Sequence, residues 1–126
     1  MSFVMNGYEW HILRVDPNDS KLVDRTKKLR LATTDPEDLC VYLSNELSGE
    51  MLTRVLIHEL GHCAIFSYDL DTEIHRMVKR RYWVEAEEWL CNFLADYGRI
   101  IFNRAARVLG DDAWRVVPTE FDRLIS

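Results

Sequence analysis

The chain has 126 residues, 48 % hydrophobic and 29 % charged, with a net charge of −5 at pH 7. That fits one soluble globular domain spanning 1–126, with room for a core but not for a second lobe. The acidic balance argues against nucleic acid as a partner, and no run is long enough to cross a membrane. The basic clusters, Lys27-Lys28 with Arg30 and Lys79-Arg80-Arg81, read as solvated faces. Residues 1–7 lack the positive stretch and long apolar core of a signal peptide. Cys40, Cys63 and Cys91 are odd in number and lack metal-type spacing, so they read as reduced, buried thiols of a cytoplasmic protein.

The first expected element is a strand over Tyr8–Val15, where Tyr8, Trp10 and Ile12 alternate with Glu9, His11 and Leu13. Asp16-Pro17-Asn18-Asp19 ends it as a turn, and His11 reads as a surface or sheet histidine. Leu29 and Leu31 suggest a second strand, with residues 21–28 open between helix and loop and residues 34–38 a loop or single turn. The clearest strand is Leu39–Ser44, with Leu39, Val41 and Leu43 on one face and Cys40, Tyr42 and Ser44 on the other. Its free edge is expected to pair with an extended peptide.

Ser48 is an N-cap candidate, Glu50 sits in the first turn, and residues 51–66 are mostly apolar. That predicts a central helix buried on nearly every side. Gly61 inside it costs about 1 kcal/mol of helix propensity, which points to close approach by another backbone or by substrate. A short amphipathic helix is expected around Ile74, Met77 and Val78, then a long one from Trp83 to Leu109 on the spacing of Leu90, Leu94, Tyr97, Ile101 and Ala105. Gly110 stops it, with Arg104 and Arg107 near its end, and Pro118 opens a last short helix through Ile125. The expected class is α+β: a small N-terminal antiparallel or mixed sheet packed on the central helix and a second long helix.

Chemistry concentrates in His58-Glu59-Leu60-Gly61-His62. Residues four apart share a helix face, so His58 and His62 can bind one Zn²⁺ through imidazole nitrogens at about 2.0–2.1 Å. Glu59, one step round, can take a proton from water bound there. A catalytic zinc wants a third protein ligand. A third histidine six residues on would fall at position 68, which is Tyr68. The remaining candidates are Asp69, Asp71, Glu73, His75, Glu85, Glu87, Glu88 and Asp96. Glu88 is preferred, because Asn92 one turn on can support a zinc-bound histidine from outside and small Cys91 and Ala95 leave room. Glu87, heading a more apolar stripe, is the second choice. Both acids would also suit a solvated first helical turn.

The His-Glu-x-x-His run resembles the zinc site of zincin metallopeptidases. With Glu88-x-x-Cys91-Asn92-x-x-Ala95 following, the chain resembles the ImmA/IrrE-type gluzincins, whose second motif looks like Glu-x-x-Ala-Asn-x-Phe-Ala. Here Cys91 replaces Ala and Leu94 replaces Phe. The resemblance covers residues 52–66 and 85–98. It implies Glu88 as ligand, Asn92 as supporter and a small strand layer before the zinc helix. It also implies a compact domain of the kind carried by phages and mobile elements, with repressors among the partners. The resulting expectation is a zinc-dependent hydrolase of a protein or peptide substrate, with Glu59 as general base and then general acid. The oxyanion donor is open among His75, Tyr68 and Tyr82. The alternative is a non-catalytic protein-binding or structural accessory module on the same frame.

Overall fold

The computed structural model describes residues 1–115. The short helix expected from Pro118 lies outside the described residues. The fold is α+β, a four-stranded mixed sheet followed by helices. Strand β1 (Ser2–Met5) turns into β2 (Tyr8–Val15) as an antiparallel hairpin, with Met5 opposite Tyr8. The turn is Asn6-Gly7, both at positive φ (48° and 83°). Two such residues match the twist of a two-residue hairpin. This strand was not expected, although Asn-Gly is its sequence signal.

β3 (Ala32–Asp35) and β4 (Cys40–Ser44) complete the sheet in the order β1-β2-β4-β3. β4 runs parallel to β2 and antiparallel to β3. Two expectations are corrected here. The strand suggested by Leu29 and Leu31 lies slightly further on, and takes in Thr34 and Asp35, which were read as part of a loop or single turn. β4 is interior, paired on both sides, so it has no free edge to offer a peptide. Parallel pairing with β2 explains this: it needs a long crossover, and that crossover carries β3 to the outside. The edge strands are β1 and β3, and β3 is the one beside β4. The amide of Ser44 donates to the carbonyl of Leu31 at 2.8 Å. In this register Thr33 and Asp35 therefore face β4, while the backbone groups of Ala32 and Thr34 point outward.

All five residues of β4 are buried. On one face Val41 and Leu43 pack with Trp10, Leu47 and Cys63. On the other, Cys40 and Tyr42 pack with Leu22 from a 3-10 turn at Ser20–Leu22. That turn covers a face that would otherwise meet water.

Helix α1 (Gly49–Ser67) begins after Ser48, whose side chain makes no capping bond. It is half-buried rather than enclosed: Glu59, Gly61, Cys63, Ile65 and Ser67 are inside, while Met51 and Phe66 are exposed. Its last residue is tied to the sheet, with Trp10 Nε1 donating to Ser67 Oγ at 2.9 Å and Asn6 Nδ2 to the Ser67 carbonyl at 2.7 Å. α2 (Asp71–Met77) and a 3-10 turn (Arg80–Tyr82) lead to α3 (Trp83–Phe93). α3 explains Gly61. A Cβ there would lie 3.0 Å from Cys91 Sγ and 3.4 Å from Leu94 Cδ1, so the approaching groups are side chains of α3. All three cysteines are buried and free.

The stretch expected as a long helix, 83–109, is helical throughout. Residues Leu94–Gly98 form a π turn before α4 (Arg99–Leu109). The chain clusters into two compact units, Met1–Asp96 and a second beginning at Tyr97. In the second, α4 buries no residue, Gly110 ends it at a φ of 61°, and Phe102 stacks on Trp114 with ring centroids 5.7 Å apart. Among the described residues no helix is long and apolar enough to cross a membrane.

Candidate metal centre

Four-residue spacing puts Arg54, His58 and His62 along one face of α1. α3 packs against that face and brings two acids to the imidazoles. Glu88 Oε2 lies 3.1 Å from His58 Nε2, and Glu88 Oε1 lies 3.2 Å from His62 Nε2. The two Nε2 atoms are 3.2 Å apart. One turn N-terminal to His58, Arg54 donates to both carboxylate oxygens of Asp96 at 2.6 and 3.1 Å. A tetrahedral ion with bonds of about 2.0–2.1 Å requires donors about 3.3–3.4 Å apart. The two ring nitrogens meet that spacing within a few tenths of an ångström, and each faces its own oxygen of Glu88 at 3.1–3.2 Å. His58, His62 and Glu88 form a group able to hold a metal ion, and two imidazoles with one carboxylate suit zinc.

The neighbouring acid has a different place. Glu87 Oε2 sits 2.6 Å from His62 Nδ1, on the far side of the ring from Glu88. A carboxylate there makes Nδ1 a donor and leaves Nε2 as the nitrogen directed at His58 and Glu88. The supporting position expected of Asn92 is thus taken, for His62, by Glu87. Asn92 is exposed on the cleft wall, and among the described residues it makes no hydrogen bond to either histidine.

Electrostatics point the same way. Burial alone would lower the pKa of His62. The Cys91 thiol and the carboxylates of Glu87 and Glu88 outweigh it and push it up to about 12. Hydrogen bonds from His58 and His62 hold Glu88 well below the usual carboxylate range. For Glu87 burial works upward, but His62 and Arg25 prevail and the net shift is down. The cluster therefore favours added positive charge between its rings and carboxylates, a demand that a dication meets. Burial pushes the thiol of Cys63 up to about 12 and that of Cys91 upward as well. Both are held as neutral thiols, that of Cys91 against the His62 ring.

Glu59 is 6 % exposed. Its Oε2 accepts the hydroxyl of Thr34 at 2.5 Å, and its backbone carbonyl lies 3.3 Å from the same hydroxyl. β3 thus holds the carboxylate that α1 supplies. Glu59, His58, His62, Glu87 and Glu88 all line one open cleft of about 1030 Å³, whose lining also includes Thr34 on β3. Of the three oxyanion candidates, only His75 lines this cleft, stacked on Trp83 with centroids 3.7 Å apart. Tyr68 and Tyr82 are exposed away from it.

Two residues of the site escaped the sequence reading. Thr34 was assigned to a loop. Arg25 lay in a segment left undecided, yet its Nη2 donates to Glu87 Oε2 at 3.2 Å and pairs with Glu88 Oε1 at 3.5 Å. A strand covering Thr34 would have drawn attention to the first, but nothing local flags the second. No protein-family model matches the chain, and no curated protein matches it.

Proposed function

We propose that the protein is a zinc-dependent peptide hydrolase, with His58, His62 and Glu88 holding the ion. The observation that carries this reading is the gathering of three ligand-type side chains from two helices, each offering one atom within 4.8 Å of the others, with Glu59 lining the same cleft. Bound zinc would supply Lewis-acid polarisation of a carbonyl and a more acidic water. Glu59 accepts the proton of the attacking water and returns it to the leaving amine. Thr34 keeps that carboxylate aimed into the cleft through its 2.5 Å hydrogen bond. The outward backbone groups of Ala32 and Thr34 on β3 provide the pairing edge for an extended substrate, the role the sequence reading gave to β4. His75, on the cleft wall, is the donor candidate for the developing oxyanion.

The test is zinc stoichiometry and turnover of an unfolded protein, compared between wild type and Glu59→Gln. One zinc per chain in both proteins, with cleavage only in the wild type, is the expected result. No zinc in the wild type, or equal cleavage by Glu59→Gln, would overturn it. One zinc without any cleavage would favour a protein-binding module.

A further inference from the structure

We propose that Arg25 is a positioning residue of this centre, acting 62 residues upstream of its partner by fixing Glu87 against Nδ1 of His62. Three observations carry this. First, a single atom, Glu87 Oε2, meets both His62 Nδ1 at 2.6 Å and Arg25 Nη2 at 3.2 Å. The guanidinium therefore sets where the carboxylate points. Second, Glu87 is 17 % exposed against 49 % for Arg25, so the pair is partly shielded on the side that faces the histidine.

Third, the segment carrying Arg25 is built to stand still. Asp24 Oδ1 accepts the amides of Thr26 and Lys28 at 2.8 and 3.1 Å and the Thr26 hydroxyl at 2.6 Å. Asp24 Oδ2 accepts Arg30 Nε at 2.6 Å. The Asp24 amide reaches the Lys28 carbonyl at 2.9 Å, and Lys27 adopts a φ of 68° to close the loop. Exposed ion pairs usually contribute little because two long chains must be ordered. Here the backbone beneath Arg25 is already ordered. The loop Asp24–Arg30 is thus an outer support of the imidazole, reached through Glu87, with a longer 3.5 Å pair to Glu88 beside it.

The consequence for metal affinity rests on the zinc reading above, so the test has two arms. In the zinc-free full-length protein, proton NMR should show a downfield His62 Nδ1–H resonance protected by Glu87 and identified by its loss in Glu87→Ala. Arg25→Ala should lose or exchange-broaden it, while Arg25→Lys, which keeps the charge, retains part of it. In the second arm, chelator competition should give Arg25→Ala about 10-fold weaker zinc binding, the lower end of outer-shell effects. In a Glu87→Ala background the same substitution should have a much smaller effect, what is left being the 3.5 Å pair with Glu88. Thermal melts confirm that the variants fold. If the resonance responds to Arg25 while the wild type binds no zinc, the relay stands and the zinc reading falls. If zinc binds and Arg25→Ala matches the wild type in both arms, the relay falls and the zinc reading stands. Absence of the resonance from the wild type also overturns the relay.

Discussion

Two adjacent acids with different geometry make the sharpest prediction. Glu88 meets the Nε2 atoms of both histidines at 3.1 and 3.2 Å, whereas Glu87 meets only the outer nitrogen of His62 at 2.6 Å. Glu88→Ala should therefore remove a ligand, and Glu87→Ala only a support. Structural zinc sites bind with about 10–16 kcal/mol over four ligands, so one ligand is worth about 2.5–4 kcal/mol, or roughly 10²–10³-fold in affinity. Loss of an outer hydrogen-bond partner typically weakens metal binding about 10–100-fold. The expected order is wild type, then Glu87→Ala, then Glu88→Ala, with about a decade between the two variants. Competition against a chromophoric chelator at fixed pH reads this directly, and denaturant melts show whether each variant is folded. If folded Glu87→Ala binds zinc as weakly as Glu88→Ala or more weakly, the division of labour between the two acids is wrong.

Gly61→Ala should destabilise the fold: overpacking costs about 1–3 kcal/mol, set against about 1 kcal/mol of helix propensity gained. Cys91, fully buried at the contact, cannot retreat. Adding Cys91→Ala should recover the loss, and a single variant more stable than wild type in urea would refute the clash. Thr34→Val keeps the shape of β3 but leaves Glu59 without its 2.5 Å donor. A loss of about 1–3 kcal/mol is expected, and an unchanged denaturation midpoint would show the bond to be idle. Asp24 is held well below the usual carboxylate range: partial burial opposes this, but hydrogen bonds from Thr26, Arg30 and Lys28 prevail. A lowered folded pKa adds stability that is present above the unfolded value of about 3.9 and fades below it. Asp24→Asn should therefore melt lower than wild type at pH 7, with the gap narrowing below about pH 4; a gap independent of pH would contradict this.

What was legible in the sequence was whatever is encoded within a few residues. The strand over Tyr8–Val15 follows from alternation alone, and its observed bounds match. The helix around His58 and His62 was readable because a four-residue repeat and an apolar run coincide. Choosing between Glu87 and Glu88 was beyond that kind of reading. Both face α1, and only the crossing of α3 decides which meets the inner nitrogens and which the outer one. The π turn at Leu94–Gly98 was hidden because apolar residues keep three- and four-residue spacing straight through it. Sheet order is non-local as well: nothing in the alternation of residues 39–44 says whether that strand lies inside the sheet or at its rim. Thr34 and Arg25 were lost for the same reason, since both act on residues far along the chain.

The parallel pairing of β2 with β4 reaches well beyond the sheet. Because those strands run the same way, some two dozen residues must loop out between them, and that excursion carries Asp24, Arg25 and Thr34 past the two helices. A helical hairpin excised from residues 49–93 would keep His58, His62, Glu87 and Glu88 yet lose the groups that hold Glu59 and Glu87. Such a fragment should capture an ion loosely and cleave nothing. The early excursion and the late helices would have to be made together, as one cooperative unit, for the chemistry to exist.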